Sequence, residues 1–297
     1  MQTEICEVGP RDGLQNLKRV FSIEERARLI EMLARSGAHR IEAVSFVNPA
    51  RVPQMADAEA VLERLELDDN VHLAGLVMNE RGANRALATR LNEIRTVIVA
   101  SETFSRRNQN AGVDECIEAF ALMAPAIRTE GLMLTGVVAA SFGCPFEGRI
   151  EPQRVVDIVK ALIESGADEI VLADTIGVGV PADVKHLAGL CRPHMAGKPL
   201  GFHFHNTRNT GYANAVSAMD AGASVLDASI GGLGGCPFAP AATGNISTED
   251  LLYLMRGTGL DVPLSFEGLV EITQWLDERL PGELPGQLRK AGWFPAG

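Results

Sequence analysis

Eight short runs rich in β-branched residues alternate with longer helical patterns along almost the whole chain, and this alternation constrains the fold more than any other feature. The runs are Glu4–Val8, Arg40–Phe46, Val71–Met78, Arg95–Ala100, Met133–Ala139, Glu169–Ala173, Leu200–His205 and Val225–Ile230. Between them lie helical stretches that include Ile23–Arg35, Asp114–Arg128, Gln153–Glu164, Ala182–Cys191 and Asn214–Asp220. Ser22 and Glu25 form a capping box at the start of the first helix, and Pro181 sits where a first helical turn tolerates proline. Three helix-to-strand junctions share a pattern: Ser36-Gly37-Ala38, Ser165-Gly166-Ala167 and Ala221-Gly222-Ala223 each precede a strand. The central glycine suits the left-handed conformation that ends a helix. Repetition of strand, helix, glycine and strand argues for parallel strands joined by crossover helices. Eight such units in one chain favour an α/β fold of the closed (β/α)8 TIM-barrel type over a doubly wound sheet. From about residue 258 the chain reads as further helix, including Phe266–Leu280, and no linker or charge run divides it. The expectation is one barrel domain over residues 1–297 with a C-terminal helical extension.

A chain that is 46% hydrophobic can fill such a core. Its net charge of −11 is the wrong sign for a broad nucleic-acid surface. An anionic substrate would have to meet a local cluster of cations or backbone N–H groups. The five cysteines are odd in number and contain no C-x-x-C, so a disulfide framework is not expected and a reducing cytoplasm fits. The first residues lack the regions of a signal peptide, and no apolar run approaches a bilayer's thickness. Neither nucleic acid nor membrane is therefore expected as a partner.

In a barrel of this kind, functional side chains gather at the C-terminal ends of the strands. The polar residues fall there. Arg11 and Asp12 follow strand one, Glu42 and Ser45 end strand two, Asp174 ends strand six, and His203 and His205 end strand seven. Alternate strand residues share a face, so the two imidazoles of His203-Phe204-His205 converge. Asp12 can add a carboxylate oxygen and Asn245 an amide oxygen, a mixed donor set that suits Mg2+ or Mn2+ better than a closed zinc site. The same pattern also describes two packed, hydrogen-bonded histidines. Asp12-Gly13 is also a common turn dipeptide, Asp174-Thr175 a common helix cap, and Glu42 could be half of an ion pair. Arg11 could hold a carbonyl that becomes an enolate. After strand eight comes Gly231-Gly232-Leu233-Gly234-Gly235-Cys236-Pro237, whose glycines imply a mobile loop or a close backbone approach to a ligand. A thiol there can give or take a proton near a cation; the alternative is a buried, inert cysteine.

Taken together, Val8-Gly9-Pro10-Arg11-Asp12-Gly13-Leu14-Gln15-Asn16, Ser45-Phe46-Val47, Val52-Pro53-Gln54-Met55, Gly143-Cys144-Pro145-Phe146-Glu147-Gly148, Asp174-Thr175-Ile176-Gly177-Val178-Gly179 and Gly232-Leu233-Gly234-Gly235-Cys236-Pro237 through Gly244-Asn245 resemble the motifs of the hydroxymethylglutaryl-CoA lyase family. The resemblance implies a metal-dependent TIM barrel acting on an acyl-CoA, with Asp12, His203, His205 and Asn245 as ligands of a divalent cation, Mg2+ or Mn2+. It implies Arg11, Glu42, Asp174 and Cys236 as catalytic or substrate-contacting residues. Gln15 and Ser45 within these motifs, Val137 and Arg208 at the acyl pocket, and Asn108 near the CoA end are the further substrate contacts it suggests. A homo-oligomer is left open.

The chain departs from the pattern in two places. After the two histidines these lyases read Asp-Thr-Tyr-Gly-Gln, where this chain has Asn206-Thr207-Arg208-Asn209-Thr210. Where they carry a tyrosine after a glycine, this chain has Gly136-Val137. The expected reaction is cleavage of 3-hydroxy-3-methylglutaryl-CoA to acetyl-CoA and acetoacetate. The first alternative is a different 3-hydroxyacyl-CoA. Condensing synthases of the same superfamily usually carry Glu-Arg where this chain has Cys236-Pro237, and a non-catalytic metal-binding protein would have little use for the full acid, cation and metal set.

Overall fold

The computed structural model describes residues 3–235 and 244–295. Its eight strands, β1 (Glu4–Glu7), β2 (Arg40–Ser45), β3 (His72–Leu76), β4 (Glu93–Val99), β5 (Met133–Ala139), β6 (Glu169–Asp174), β7 (Leu200–Phe204) and β8 (Val225–Ala228), pair in parallel and in chain order. β1 also pairs with β8, with Glu4 opposite Val225 and Glu7 opposite Ala228, which closes the barrel. The expected TIM-type architecture is the one found. Most strand limits shift by a residue or two: β3, for example, runs His72–Leu76 within the expected Val71–Met78, and two other shifts matter for the site. β4 begins at Glu93, two residues before the apolar run suggests, and β8 stops at Ala228, because Ser229 pairs instead with Ser247.

Helices α1 (Ile23–Arg35), α2 (Ala58–Arg64), α3 (Glu80–Leu87), α4 (Glu102–Gln109), α5 (Val113–Thr129), α6 (Pro152–Glu164), α7 (Pro181–Cys191), α8 (Gly211–Asp220) and α9 (Thr248–Gly257) surround the strands, and α10 (Phe266–Asp277) and α11 (Leu288–Ala291) follow. The Ser22–Glu25 capping box is present, with Ser22 Oγ accepting from Glu25 N at 3.2 Å and Glu25 Oε2 accepting from Ser22 N at 3.1 Å. Gly37, Gly166 and Gly222 have φ of 92°, 102° and 80°, the left-handed helix ends expected at the three repeated junctions. α10 packs on α1 and α9, so the chain beyond residue 258 covers the first and last helices of the ring. No helix among the described residues is long and apolar enough to cross a membrane.

Most of the core lies between strands and helices. The barrel lumen is different. It holds a small apolar layer, Cys6, Val8, Val137, Val171, Ala173 and Val225, together with a column of buried charge. Arg40, Glu93 and Glu169 begin the even-numbered strands β2, β4 and β6. Arg40 bonds Glu93 at 2.7 and 2.8 Å and Glu169 at 2.6 and 3.1 Å. Two residues further along the even strands, on the same face, come Glu42, Arg95 and Asp227. Arg95 bonds Glu93 at 3.0 Å and both oxygens of Asp227 at 3.1 and 3.0 Å. Charges this deep are tolerable only because each is paired.

Candidate active site at the C-terminal end of the barrel

β1 hands the chain to a single π-helical turn, Gly9–Gly13, which carries Arg11 and Asp12 over the barrel mouth. Glu7 anchors this turn: Oε1 accepts from Gly9 N at 2.7 Å and from Ile230 N at 3.0 Å, and Oε2 accepts from Thr248 Oγ1 at 2.6 Å. One carboxyl thus ties the turn after β1 to the loop after β8. Burial pushes its pKa up to about 7.

Above the lumen, ligand atoms of Asp12, His203 and His205 lie within 4.8 Å of one another. Asn245 joins them because the segment before α9 bridges His205 in antiparallel fashion: Asn206 N donates to Gly244 O at 3.1 Å and Ile246 N to Phe204 O at 3.1 Å. Asn245 Nδ2 donates to Asp12 Oδ2 at 2.8 Å and to Leu233 O at 2.9 Å. Its Oδ1 is buried and has no hydrogen-bond partner among the described residues. A buried acceptor without a donor is costly, and this one sits in a cluster of one carboxylate and two imidazoles. The donor set therefore fits a divalent cation. Gly234 has φ of 112°, and a Cβ there would lie 2.6 Å from Asn245 Nδ2 and 3.3 Å from Asp12 Oδ2. The loop therefore passes against the cluster only because this residue is glycine.

Arg11 bridges two carboxylates, with Nη1 at 2.8 Å from Asp12 Oδ1 and Nη2 at 2.6 Å from Glu42 Oε2. The ion-pair reading of Glu42 is thus borne out geometrically, yet its Oε1 has no partner among the described residues. Burial raises the Glu42 pKa against the pull of Arg11 and Arg95. For Asp12 burial pushes upward too, but Arg11 and the two histidines hold its carboxyl well below the usual carboxylate range. Asp174 is buried, and its oxygens accept from Val178 N at 2.9 Å and Gly179 N at 2.8 Å. It caps the loop after β6 and not the N-terminus of α7. Burial raises its pKa against those two bonds, and His203 and Arg208 are near enough to pull it back.

The remaining predicted residues divide. Ser45 is fully buried at the end of β2 and Gln15 half-buried; Ser45 Oγ and Gln15 Oε1 lack partners among the described residues. Val137 faces the lumen in the apolar layer. Arg208 is exposed, and its Nη1 donates to Ile176 O at 3.1 Å and Gly177 O at 2.9 Å, tying the loops after β6 and β7 together. Asn108 is exposed on α4 and is not among the residues gathered at the cluster. Cys236 lies outside the described residues. Asp227, on β8, was not anticipated: its Oδ2 lies 3.2 Å from His203 Nδ1. A lone acid inside the apolar run Val225-Leu226-Asp227-Ala228 was the available signal.

Beneath the loop after β8, Glu249 is fully buried. Oε2 accepts from Gly231 N at 3.0 Å, and Oε1 has no partner among the described residues. Burial pushes its pKa from 4.5 up to about 8. A carboxyl whose folded pKa is raised favours folding below its unfolded value and loses that advantage as pH rises through the folded one. Wild type should therefore lose stability relative to Glu249→Gln between pH 4.5 and 8. The stability difference of about 2–4 kcal/mol that accumulates over this range should move the Tm difference by roughly 4–8 °C in the variant's favour. Melting curves at pH 5 and pH 8.5 test this, and a pH-independent difference would contradict it.

The family model described as HMGL-like matches residues 2–276. The (R)-citramalyl-CoA lyase of Chloroflexus aurantiacus is 41% identical over 97% of this chain and 94% of that protein. The hydroxymethylglutaryl-CoA lyase of Pseudomonas mevalonii is 40% identical over 91% of this chain and 89% of that protein. The structure of an HMG-CoA lyase from Acinetobacter baumannii in complex with coenzyme A and 3-methylmalate superposes with a TM-score of 0.95 at 35% identity, covering 100% of this chain and 97% of that one. With the barrel, the clustered strand-end residues and these relatives in agreement, the chain belongs to the HMGL-like family and is a carbon–carbon lyase of the hydroxymethylglutaryl-CoA lyase type.

Proposed function

We propose that this protein cleaves the Cα–Cβ bond of a 3-hydroxyacyl-CoA, with 3-hydroxy-3-methylglutaryl-CoA as first candidate and acetyl-CoA and acetoacetate as products. The observation that carries the reading is the convergence of Asp12, His203 and His205 within 4.8 Å beside Asn245 Oδ1, which has no partner among the described residues, with Arg11 and Glu42 adjoining. Asp12, His203, His205 and Asn245 would hold Mg2+ or Mn2+. Bound there, the ion would lower the pKa of the substrate's tertiary hydroxyl and orient its oxygens.

The protein's own groups do the rest. A base takes the hydroxyl proton, the carbinol carbon becomes a ketone, and the electron pair of the broken bond passes to a thioester enolate. Glu42 suits the base role better than Asp174, since its Oε1 has no partner among the described residues while both Asp174 oxygens accept backbone N–H bonds. Arg11 is held between two carboxylates and its Nε has no partner among the described residues, so it can donate to the enolate oxygen as charge develops. Cys236 then protonates the enolate carbon. Gln15 and Ser45 offer polar atoms to the substrate near the same mouth. Arg11→Lys should lower kcat by roughly 10²-fold or more with a smaller change in KM, because a point charge cannot reproduce the planar fork. An unchanged kcat would remove Arg11 from the chemistry.

A second acyl group has a specific observation in its favour. The Chloroflexus relative is named for (R)-citramalyl-CoA, and Arg208 and Val137 stand where the hydroxymethylglutaryl-CoA lyases carry tyrosines. Citramalyl-CoA keeps the tertiary alcohol but has its carboxylate directly on the carbinol carbon. Arg208, close enough to influence Asp174, brings a cation toward that region. Measuring kcat/KM for both thioesters decides between them. A preference for hydroxymethylglutaryl-CoA supports the first candidate; a preference for citramalyl-CoA, yielding pyruvate, replaces it with the second.

A further inference from the structure

Through Arg95 and Asp227, the ion-pair column in the lumen reaches the candidate metal cluster at His203. We propose that Asp227 and Arg95 are positioning residues for the cation: Asp227 fixes the orientation and tautomer of His203, and Arg95 fixes Asp227. The proposal rests on the metal reading above.

The geometry is continuous. His203 and Asp227 are register partners on β7 and β8, so their side chains enter the lumen side by side. Asp227 Oδ2 lies 3.2 Å from His203 Nδ1. A carboxylate can only accept, so it holds the imidazole proton on Nδ1 and leaves the Nε2 lone pair for a cation. Asp227 has two oxygens that could turn to face His203. Arg95, reaching from β4 on the opposite wall, bonds both at 3.1 and 3.0 Å and removes that freedom. Arg95 is itself 1% exposed and held by Glu93 at 3.0 Å, and Glu93 by Arg40 at 2.7 and 2.8 Å. Every link is buried, so water cannot substitute for a lost partner. A column serving stability alone could end at Arg95 and an apolar neighbour; this one ends on an imidazole of the cluster.

Equilibrium Mn2+ binding to the purified protein, followed by the electron paramagnetic resonance of free Mn2+, tests the proposal without relying on turnover. Asp227→Asn should weaken Mn2+ binding by about 10–100-fold, the usual consequence of losing a partner behind a metal ligand. The amide can present an N–H to Nδ1 and so favour the wrong tautomer. Arg95→Met should weaken binding in the same direction, and the double variant should be no weaker than Asp227→Asn, since Arg95 acts through Asp227. Glu169→Gln, at the far end of the column, should lower Tm and leave the Mn2+ affinity unchanged. A folded Asp227→Asn protein with wild-type affinity overturns this proposal alone, and wild-type protein that binds no Mn2+ overturns it together with the metal reading. If Asp227→Asn does not fold, 15N-histidine spectra of the Mg2+-loaded wild type decide: a proton on His203 Nδ1 is expected, and a proton on Nε2 overturns the proposal.

Discussion

Stripping the protein of divalent cations with a chelator should abolish turnover, and Mg2+ or Mn2+ should restore it. His205→Ala should remain inactive after the same addition. Asp12, His203 and His205 offer ligand atoms within 4.8 Å, and Asn245 Oδ1 is buried without a donor among the described residues. Polarising an oxygen with a bound cation is worth several kcal/mol of transition-state stabilisation. At about 1.4 kcal/mol per tenfold, losing it costs on the order of 10³-fold in rate or more. His205 directly follows β7 and is 4% exposed, so a melting curve should accompany the assay to show that His205→Ala still folds. Full activity of the metal-stripped wild type would contradict the assignment, and so would recovery of His205→Ala at wild-type cation concentrations.

Cys236→Ser should lower kcat by about 10²–10⁴-fold, the usual worth of a positioned proton-transfer group, with Mn2+ binding intact. Cys236 follows a segment that packs directly on the cluster: Gly234 leaves no room for a Cβ against Asn245 and Asp12. Asn16 Nδ2 donates to Gly235 O at 2.6 Å, which fixes the chain one residue before the thiol. Cys6, Cys116, Cys144 and Cys191 are buried and free. Burial raises the pKa of Cys6, Cys116 and Cys191, which disfavours the thiolate. Serine keeps the size of the side chain and loses most of its acidity, so a residue that donates a proton loses rate and one that merely packs does not. Alkylating reagents should inactivate the wild type, and bound substrate should slow that inactivation. Near-normal kcat with a lowered Tm would make Cys236 a packing residue.

The barrel was legible in the sequence because its two periodicities are clean. Ile23–Arg35 is bounded by a capping box and a left-handed glycine, and the helix has those limits. Met133–Ala139 is buried from Leu134 onward, and the strand matches the expected run. α3 escaped because it buries only Gly82, Ala83 and Ala86, residues too small to give an apolar stripe. α4 buries only Phe104 and Ser105. The site residues at strand ends could be read from parity alone, as with His203 and His205. Asn245 could not: its amide suited the donor set, but strand parity gave it no place there, and a backbone bridge to His205 brings it in. Arg95 and Asp227 were hidden for a related reason. Arg95 read as the first residue of a strand, where a charge is unremarkable, whereas β4 begins at Glu93 and places Arg95 inside the lumen. Its partner Asp227 is 132 residues away, beyond the reach of any local pattern.

The central claim is carbon–carbon cleavage, and product stoichiometry tests it most directly. Cation-loaded protein is incubated separately with 3-hydroxy-3-methylglutaryl-CoA and (R)-citramalyl-CoA, and the thioester and acid products are quantified. The account predicts that at least one of the two yields acetyl-CoA and an oxo acid, acetoacetate or pyruvate, in equal amounts, and that chelation stops both products together. Intact thioester in every reaction, or free CoA released without an oxo acid, would contradict it.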